Sequence, residues 1–295
     1  MPNSVPNLEV FIVALPIGNV EDLSPRAKNA LQTADVIFCE DTRKTLDLAR
    51  RVGLDLSKSD LIALPGDQES QISFEKIFKK SLEEKSAAVW ALVSDAGTPL
   101  VNDPGAHLVN WARGQGIPVR AIPGPAAPIV AWQTTGGFGL PFVFSGFPPK
   151  GSASSLKKFF SPILGSAKTF CFFLSRHDLL NVMSFLSKDK DFSGRKMFLA
   201  RELTKPHEEI FEGKAQEILD IFNIKIEANE GVGEVSVLIE GDGKFDQPKS
   251  FNIDDWDPKE LRKLKVGSPK EAAKILSKLT GWQVSDCYEI LANKD

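Results

Sequence analysis

The segment Ser94-Asp95-Ala96-Gly97-Thr98-Pro99 sets a carboxylate, a glycine and a hydroxyl directly after an apolar run, Ala87 to Val93. Asp95 can accept hydrogen bonds from an amine or hydroxyl, and Gly97 permits close backbone approach. That chemistry suits a polar organic ligand, although a tight turn uses the same residue types. Glu40-Asp41-Thr42-Arg43 gathers two acids and an arginine at the end of another apolar run. Taken alone, it could be a helix N-cap with surface charges. Arg201-Glu202-Leu203-Thr204-Lys205 is a second mixed-charge run of this kind. Pro123-Gly124-Pro125-Ala126-Ala127 lets a flat ligand lie against backbone, and also reads as a proline-set helix start. There is no GxxxxGK[ST], and no GxGxxG at the first strand. Neither a P-loop nor a dinucleotide fold is indicated. No Ser/His/Asp or Cys/His arrangement stands out, and His207 beside Glu208 and Glu209 reads as a surface cluster.

These segments need strands to hold them. Leu8 to Ala14, Val36 to Cys39, Leu61 to Leu64, Ala87 to Val93 and Val119 to Ile122 are short apolar runs separated by helical segments. Ser24-Pro25 opens one such helix, as N-cap and first helical residue. The pattern predicts a mostly parallel sheet covered on both faces, with ligands outside the carboxyl ends of its strands. Gly136 to Ser155 is rich in Gly, Pro and Ser and reads as a boundary or hinge. A second block of apolar runs follows at Thr169 to Leu174, Met197 to Ala200, Glu209 to Glu212 and Glu234 to Glu240. A polar linker from Gly241 to Pro248 leads to a helical tail. There Ser268-Pro269 opens a helix with Ala272, Ala273, Ile275, Leu276 and Leu279 as its apolar stripe. Gly281 ends that helix, and Val284 to Leu291 starts another. The expected domains are 1–140, 141–250 and 251–295.

The chain has 295 residues, enough for a sizeable core without staples. Its three cysteines are scattered, which excludes a disulfide framework and fits a reducing cytoplasm. The three histidines are far apart, and no metal is expected. No secretory leader and no membrane helix are expected; the long uncharged stretch from Ala121 to Pro149 is broken by proline and glycine. The net charge is −3, yet no Asp or Glu occurs between Pro104 and His177, where Arg113, Arg120, Lys150, Lys157, Lys158, Lys168 and Arg176 lie. A second basic run includes Lys259, Arg262, Lys263, Lys265 and Lys270. Local basic faces on a mildly acidic protein point to a polyanionic partner. Lysines on solvated helix faces would give the C-terminal run equally well.

In series, the segments are far more specific than any one of them. Leu15-Pro16-Ile17-Gly18-Asn19, Glu40 to Arg43, Ser94 to Pro99, Pro123 to Ala127, Gly146-Phe147-Pro148-Pro149-Lys150 and Arg201 to Lys205 occur in that order. The pattern resembles the tetrapyrrole methylase superfamily and, within it, the ribosomal RNA small subunit methyltransferase I family. The resemblance covers nearly the whole chain. It implies a tetrapyrrole methylase-like α/β fold: two α/β domains with S-adenosylmethionine in the cleft between them, plus a small helical tail. It implies 2′-O-methylation of a cytidine ribose in the decoding region of small-subunit rRNA, by a cytoplasmic homodimer. The residues it places at the cofactor are Pro16, Asp95, Ala96, Gly97, Thr98, Ala126, Ala127, Phe173, Leu174, Gly233 and Glu234.

A ribose hydroxyl is a poor nucleophile, so a base or a positive group beside it is expected. Glu40, Asp41 and Arg43 are candidates, with Glu202 and Lys205 facing them. Lys150, Lys157, Lys158, Arg262, Lys263 and Lys265 are the phosphate-contact candidates. The chain departs from the family pattern at four places. Pro65-Gly66-Asp67-Gln68-Glu69 keeps only the glutamate of a His-Asn-Glu ending. Ala126 replaces a serine. Pro148-Pro149-Lys150-Gly151 replaces a Pro-Arg-Lys segment, and Leu174-Ser175-Arg176-His177-Asp178 replaces Glu-Ser-Pro-His-Arg. Three of the four lie toward the acceptor side. Alternatives are a methylase of a tetrapyrrole or corrinoid, and a non-catalytic RNA- or ribosome-binding relative. Binding of S-adenosylmethionine separates the enzymes from the last.

Overall fold

The computed structural model describes residues 8–64, 72–84, 87–137, 139–175, 177–227, 233–241, 268–280 and 283–292. Two compact units are present, Met1–Asp242 and Gly243–Asp295. The larger one holds two five-stranded sheets.

The first sheet contains β1 (Leu8–Val13), β2 (Val36–Cys39), β3 (Asp60–Ala63), β4 (Ala88–Leu92) and β5 (Val119–Ile122). Its order is β3-β2-β4-β1-β5, and every pairing is parallel. Burial on both faces explains the apolar runs of β2 and β4, whereas the edge strands β3 and β5 are partly exposed. The alternation of side chains is visible in the cores. Ile37, Cys39 and Ala91 enter one cluster with Ala27, Ala30 and Leu31 of α1 (Pro25–Thr33). Val36, Phe38, Trp90 and Leu92 enter the opposite one with Leu108 and Ala112 of α4 (Ala106–Gly114). Helices α2 (Thr42–Val52) and α3 (Phe74–Glu84) complete the two layers. Ser24 caps α1 by accepting from the Ala27 N–H at 3.1 Å, with Pro25 in the first turn. Trp90, Trp111, Phe38, Phe74 and Phe78 pack as one aromatic group. The tryptophans in it therefore serve the core.

The second sheet is mixed. It contains β6 (Phe142–Phe144), β7 (Thr169–Leu174), β8 (Met197–Arg201), β9 (Glu209–Gly213) and β10 (Val235–Ile239), in the order β6-β7-β10-β8-β9. Only β6 and β7 are parallel. Strand β6 lies inside the stretch that composition reads as a hinge. Three residues between glycines and prolines leave too short a period to see. Helices α6 (Ala153–Phe160), α7 (Leu179–Lys188) and α8 (Ala215–Glu227) follow in this half. Phe160, Val182, Met183, Leu186, Ile218 and Phe222 from them build a core with Phe170, Phe172 and Val237 of the sheet.

Helix α5 (Ala127–Thr134) follows the last strand of the first sheet but packs against β8 and β10 of the second. Ala131 joins Cys171, Ala200, Leu203 and Leu238 in a small cluster that also takes in Ile17 from the loop after β1. That crossing draws the carboxyl ends of the first sheet against one face of the second.

In the smaller unit, α9 (Pro269–Thr280) packs on α10 (Val284–Ala292) and Ala273 and Cys287 are buried. Ile275, placed inward by the sequence pattern, is instead 45% exposed, because two short helices cover only part of the stripe. Lys259, Arg262, Lys263 and Lys265, the Pro65 to Glu69 segment, Arg176 and Gly281 lie outside the described residues.

Candidate active site

The loops after β1, β2, β4 and β5 meet at one end of the first sheet. The Leu15 N–H donates to the Gly97 carbonyl at 2.8 Å, and the Gly97 N–H donates to the Pro16 carbonyl at 3.3 Å. Thr98 Oγ1 donates to the Pro125 carbonyl at 2.9 Å. Ser94 is buried, and its hydroxyl donates to the Ala96 carbonyl at 3.0 Å. Gly97 has φ +74°, in the region where glycine carries no steric cost. An added Cβ there would also press on Ile17 at 3.0 Å.

These loops border a cavity of about 500 Å³. Asp95, Ala96, Gly97, Thr98, Ala126, Ala127, Phe173, Leu174, Gly233 and Glu234 all line it. Pro16 lies one residue from the wall, where its neighbour Ile17 stands. Phe173 gets there by strand alternation: Phe170 and Phe172 enter the helix-covered core, which turns Phe173 to the other face. Ala126 stands at the head of α5 and offers no side-chain cap.

The catalytic candidates separate into three groups. Glu40 lines the cavity. Asp41 and Arg43 do not. Asp41 caps α2 by accepting from the Arg43 N–H at 2.8 Å, and its carboxylate pairs with the Arg43 guanidinium at 3.0 and 2.7 Å. That pairing holds the Asp41 carboxyl at about 2, where it is a weak base, and the Arg43 side chain is 88% exposed. Glu202 and Lys205 stand behind the wall. Glu202 Oε1 accepts from the Glu234 N–H at 2.8 Å, and Lys205 Nζ bridges Glu202 and Glu234 at 3.2 and 2.9 Å. Burial pushes the Glu202 carboxyl up, but the Glu234 N–H and the Lys205 ammonium outweigh it and leave it below its ordinary value. The pair braces the Gly233-Glu234 wall rather than facing the cavity.

Asp95 has both oxygens engaged by the chain. Oδ1 accepts from the Asp41 N–H at 3.1 Å, and Oδ2 pairs with Lys44 Nζ at 2.6 Å. Sequence reading missed Lys44 and Asp103, which both line the cavity. Lys44 sits in the first turn of α2, in a charged run with no pattern that singles it out. Asp103 follows a turn that carries no motif. Desolvation, then Glu40 and Asp95, push the Asp103 carboxyl up to about 6. Burial and Asp95 likewise push Glu40 up, while the Asp95 carboxylate raises the Lys44 ammonium. Glu40, Asp95 and Asp103 thus share the cavity with one ammonium, Lys44, while Glu234 on the same wall is paired with Lys205, a balance that favours a cationic ligand group.

Of the phosphate candidates, Lys150 and Lys158 are exposed. Lys157 is tied to Asp189 at 3.1 Å and to Asp191 at 3.3 Å.

Residues 9–219 match the family described as Tetrapyrrole (Corrin/Porphyrin) Methylases. The chain belongs to this family. The tetrapyrrole methylase match takes in the first sheet and β6 to β9 of the second, and ends before β10 and the cavity-lining Gly233 and Glu234. Among individual relatives, the chain is 33% identical over 233 residues to ribosomal RNA small subunit methyltransferase I of Thermotoga maritima, covering 79% of this chain and 98% of that one. It is 38% identical over 236 residues to the protein of that name from Escherichia coli O157:H7, covering 79% and 78%. Two solved structures share the fold. Diphthine synthase matches with a TM-score of 0.55 at 18% identity, over 79% of this chain and 90% of that one. Cobalt precorrin-4 methyltransferase, a cobalamin biosynthetic enzyme, matches at 0.54 and 15%, over 81% and 97%.

Proposed function

We propose that this chain is an S-adenosylmethionine-dependent methyltransferase. Its substrate in this reading is the 2′-hydroxyl of a cytidine ribose in the decoding region of small-subunit (16S) rRNA. The observation that carries the cofactor is the cavity itself, where the Asp95 to Thr98 loop meets Ala126, Ala127, Phe173 and Leu174. The substrate rests on the names of the relatives at 33% and 38% identity. The reading includes a cytoplasmic homodimer, with lobes at 1–140 and 141–250 and a tail at 251–295, and no metal.

The lining fits S-adenosylmethionine. Glu40 and Asp103 offer negative charge to its sulfonium and ammonium groups. Gly97 and the two alanines allow close approach, and Phe173 and Leu174 supply apolar cover. When bound, the cofactor supplies a methyl group already activated by positive charge on sulfur, and S-adenosylhomocysteine is the product.

What remains for the protein is orientation and removal of one proton. Glu40 and Asp103 are the groups suited to hold that proton on a carboxylate oxygen. Both line the cavity and both have raised proton affinity. Asp41 is too acidic for the task, and Asp95 is occupied by Lys44 and the Asp41 N–H. Lys44 sets the position of Asp95 and offsets part of the negative charge. Glu202 and Lys205 are positioning residues that hold the Glu234 wall.

The test is methyl transfer from labelled S-adenosylmethionine to small subunits purified from a strain lacking this protein. Digestion and mass spectrometry then locate the label. Label on a single ribose supports the reading. Label on a base, or no label while S-adenosylmethionine still binds, overturns the substrate assignment.

A further inference from the structure

Phe147 lies on the cavity wall and is nevertheless 48% exposed. Its ring meets Phe173 at 5.3 Å, tilted by 55°. Phe173 in turn meets Phe144 edge-on at 4.8 Å. Phe144 and Phe173 are half-buried, so Phe147 is the member of this row that leaves most ring surface open. Phe147 therefore presents an open aromatic face at the cavity, backed by Phe173.

The loop that carries this ring is held rigidly. The Ser145 N–H donates to the Cys171 carbonyl and the Phe173 N–H to the Gly146 carbonyl, both at 2.9 Å. These bonds continue the β6 to β7 ladder up to the residue before Phe147. Gly146 has φ +70°, and an added Cβ there would stand 2.9 Å from Asn102 Oδ1. Pro148 and Pro149 follow and fix the backbone beyond the ring. The ordering entropy of this loop is therefore spent in folding rather than in binding.

What the loop exposes narrows the partner. Exposed Lys150 is three residues on, and Asp and Glu are absent from Pro104 to His177. An open aromatic face, with an exposed lysine three residues along the chain, matches how proteins grip unpaired nucleotides, and the carboxylates Glu40, Asp95 and Asp103 line the same cavity.

We propose that Phe147 is the stacking platform for the nucleobase of the target nucleotide, with Lys150 meeting an adjacent phosphate. The proposal rests on the rRNA reading and adds the contact that presents the ribose to the cavity. Stacking needs only a π-face, so the platform itself tolerates any base.

The experiment compares the unaltered protein with Phe147→Ala and Phe147→Trp. It measures steady-state methyl transfer to purified small subunits and calorimetric binding of S-adenosylmethionine. Phe147→Ala should lower kcat/KM for the subunit by about 10–100-fold, mostly through KM. Its S-adenosylmethionine affinity should stay within about twofold, and Phe147→Trp should restore transfer, because indole stacks at least as well. Full transfer efficiency in Phe147→Ala overturns the platform while leaving the rRNA reading intact. A tenfold or greater loss of S-adenosylmethionine affinity reassigns the ring to the cofactor and also overturns it. No transfer by the unaltered protein overturns both.

Discussion

At the scale of single residues, the site turns on how carboxylates share a half-enclosed space. Asp41, Asp95 and Asp103 are chemically identical, yet they end up with different tasks. Asp41 is neutralised by Arg43 and capping, Asp95 by Lys44, while Asp103 has burial and like charge to contend with. That difference has a stability consequence. Asp103 sits at about 6 in the folded chain against an ordinary 3.8, so the folded state binds more protons between those values. Stability contributed by the protonated carboxyl is present below 3.8 and lost as pH rises, with the loss complete above about 6. Asp103→Asn should therefore raise Tm by about 2–4 °C at pH 8 and by much less at pH 4.5. Equal midpoints at pH 8 would mean that the carboxyl is well solvated. Lys44 and Asp103 escaped the sequence reading because a lysine in a charged helix and an aspartate after a turn carry no pattern of their own.

At the scale of elements, two loops from different sheets meet at a glycine. A Cβ on Gly18 would lie 2.5 Å from Lys205 Cγ, 2.6 Å from Thr204 Oγ1 and 2.8 Å from the Leu203 carbonyl oxygen. The Asn19 N–H donates to Thr204 Oγ1 at 3.0 Å. Thr204 has φ +62° and Glu202 φ +51°, a conformation that a β-branched residue takes only under constraint. The latch explains why Leu15 to Asn19 and Arg201 to Lys205 sit on the same side of the molecule. Gly18→Ala should destabilise the protein by about 1–3 kcal/mol through overpacking. It should also displace Lys205 and loosen the Glu234 wall. Chemical denaturation checks the first effect, and an unchanged midpoint would show that this close approach does not persist in solution. None of this was legible beforehand, since a glycine in a turn reads as a turn residue until its neighbours from another sheet are known.

At the scale of the whole molecule, charge is distributed by sequence segment but used by surface. The acid-free window supplies cations, and folding brings acids from elsewhere to some of them. Lys157 gains Asp189 and Asp191, whereas Lys150 and Lys158 remain exposed. If rRNA binds this face, Lys150→Glu or Lys158→Glu should reduce the slope of log affinity against log salt by about 1 each. Lys157→Glu should change it less, because its charge is already offset. Filter binding across a salt series checks this, and an equal loss at all three positions would show that the ion pairs of Lys157 open on binding. The larger division of labour follows the same logic. Alternating apolar runs, caps such as Ser24 and the order of the six loop segments are local, so the sequence by itself determined the parallel sheet, the family and the loop residues that border the cavity. The crossing of α5 under the second sheet, the bracing by Glu202 and Lys205, and the grouping of Glu40, Asp95 and Asp103 join residues far apart in the chain. Those were decided only by the tertiary structure, because proton affinity and close approach depend on neighbours in space, and the chain order does not specify which neighbours those are.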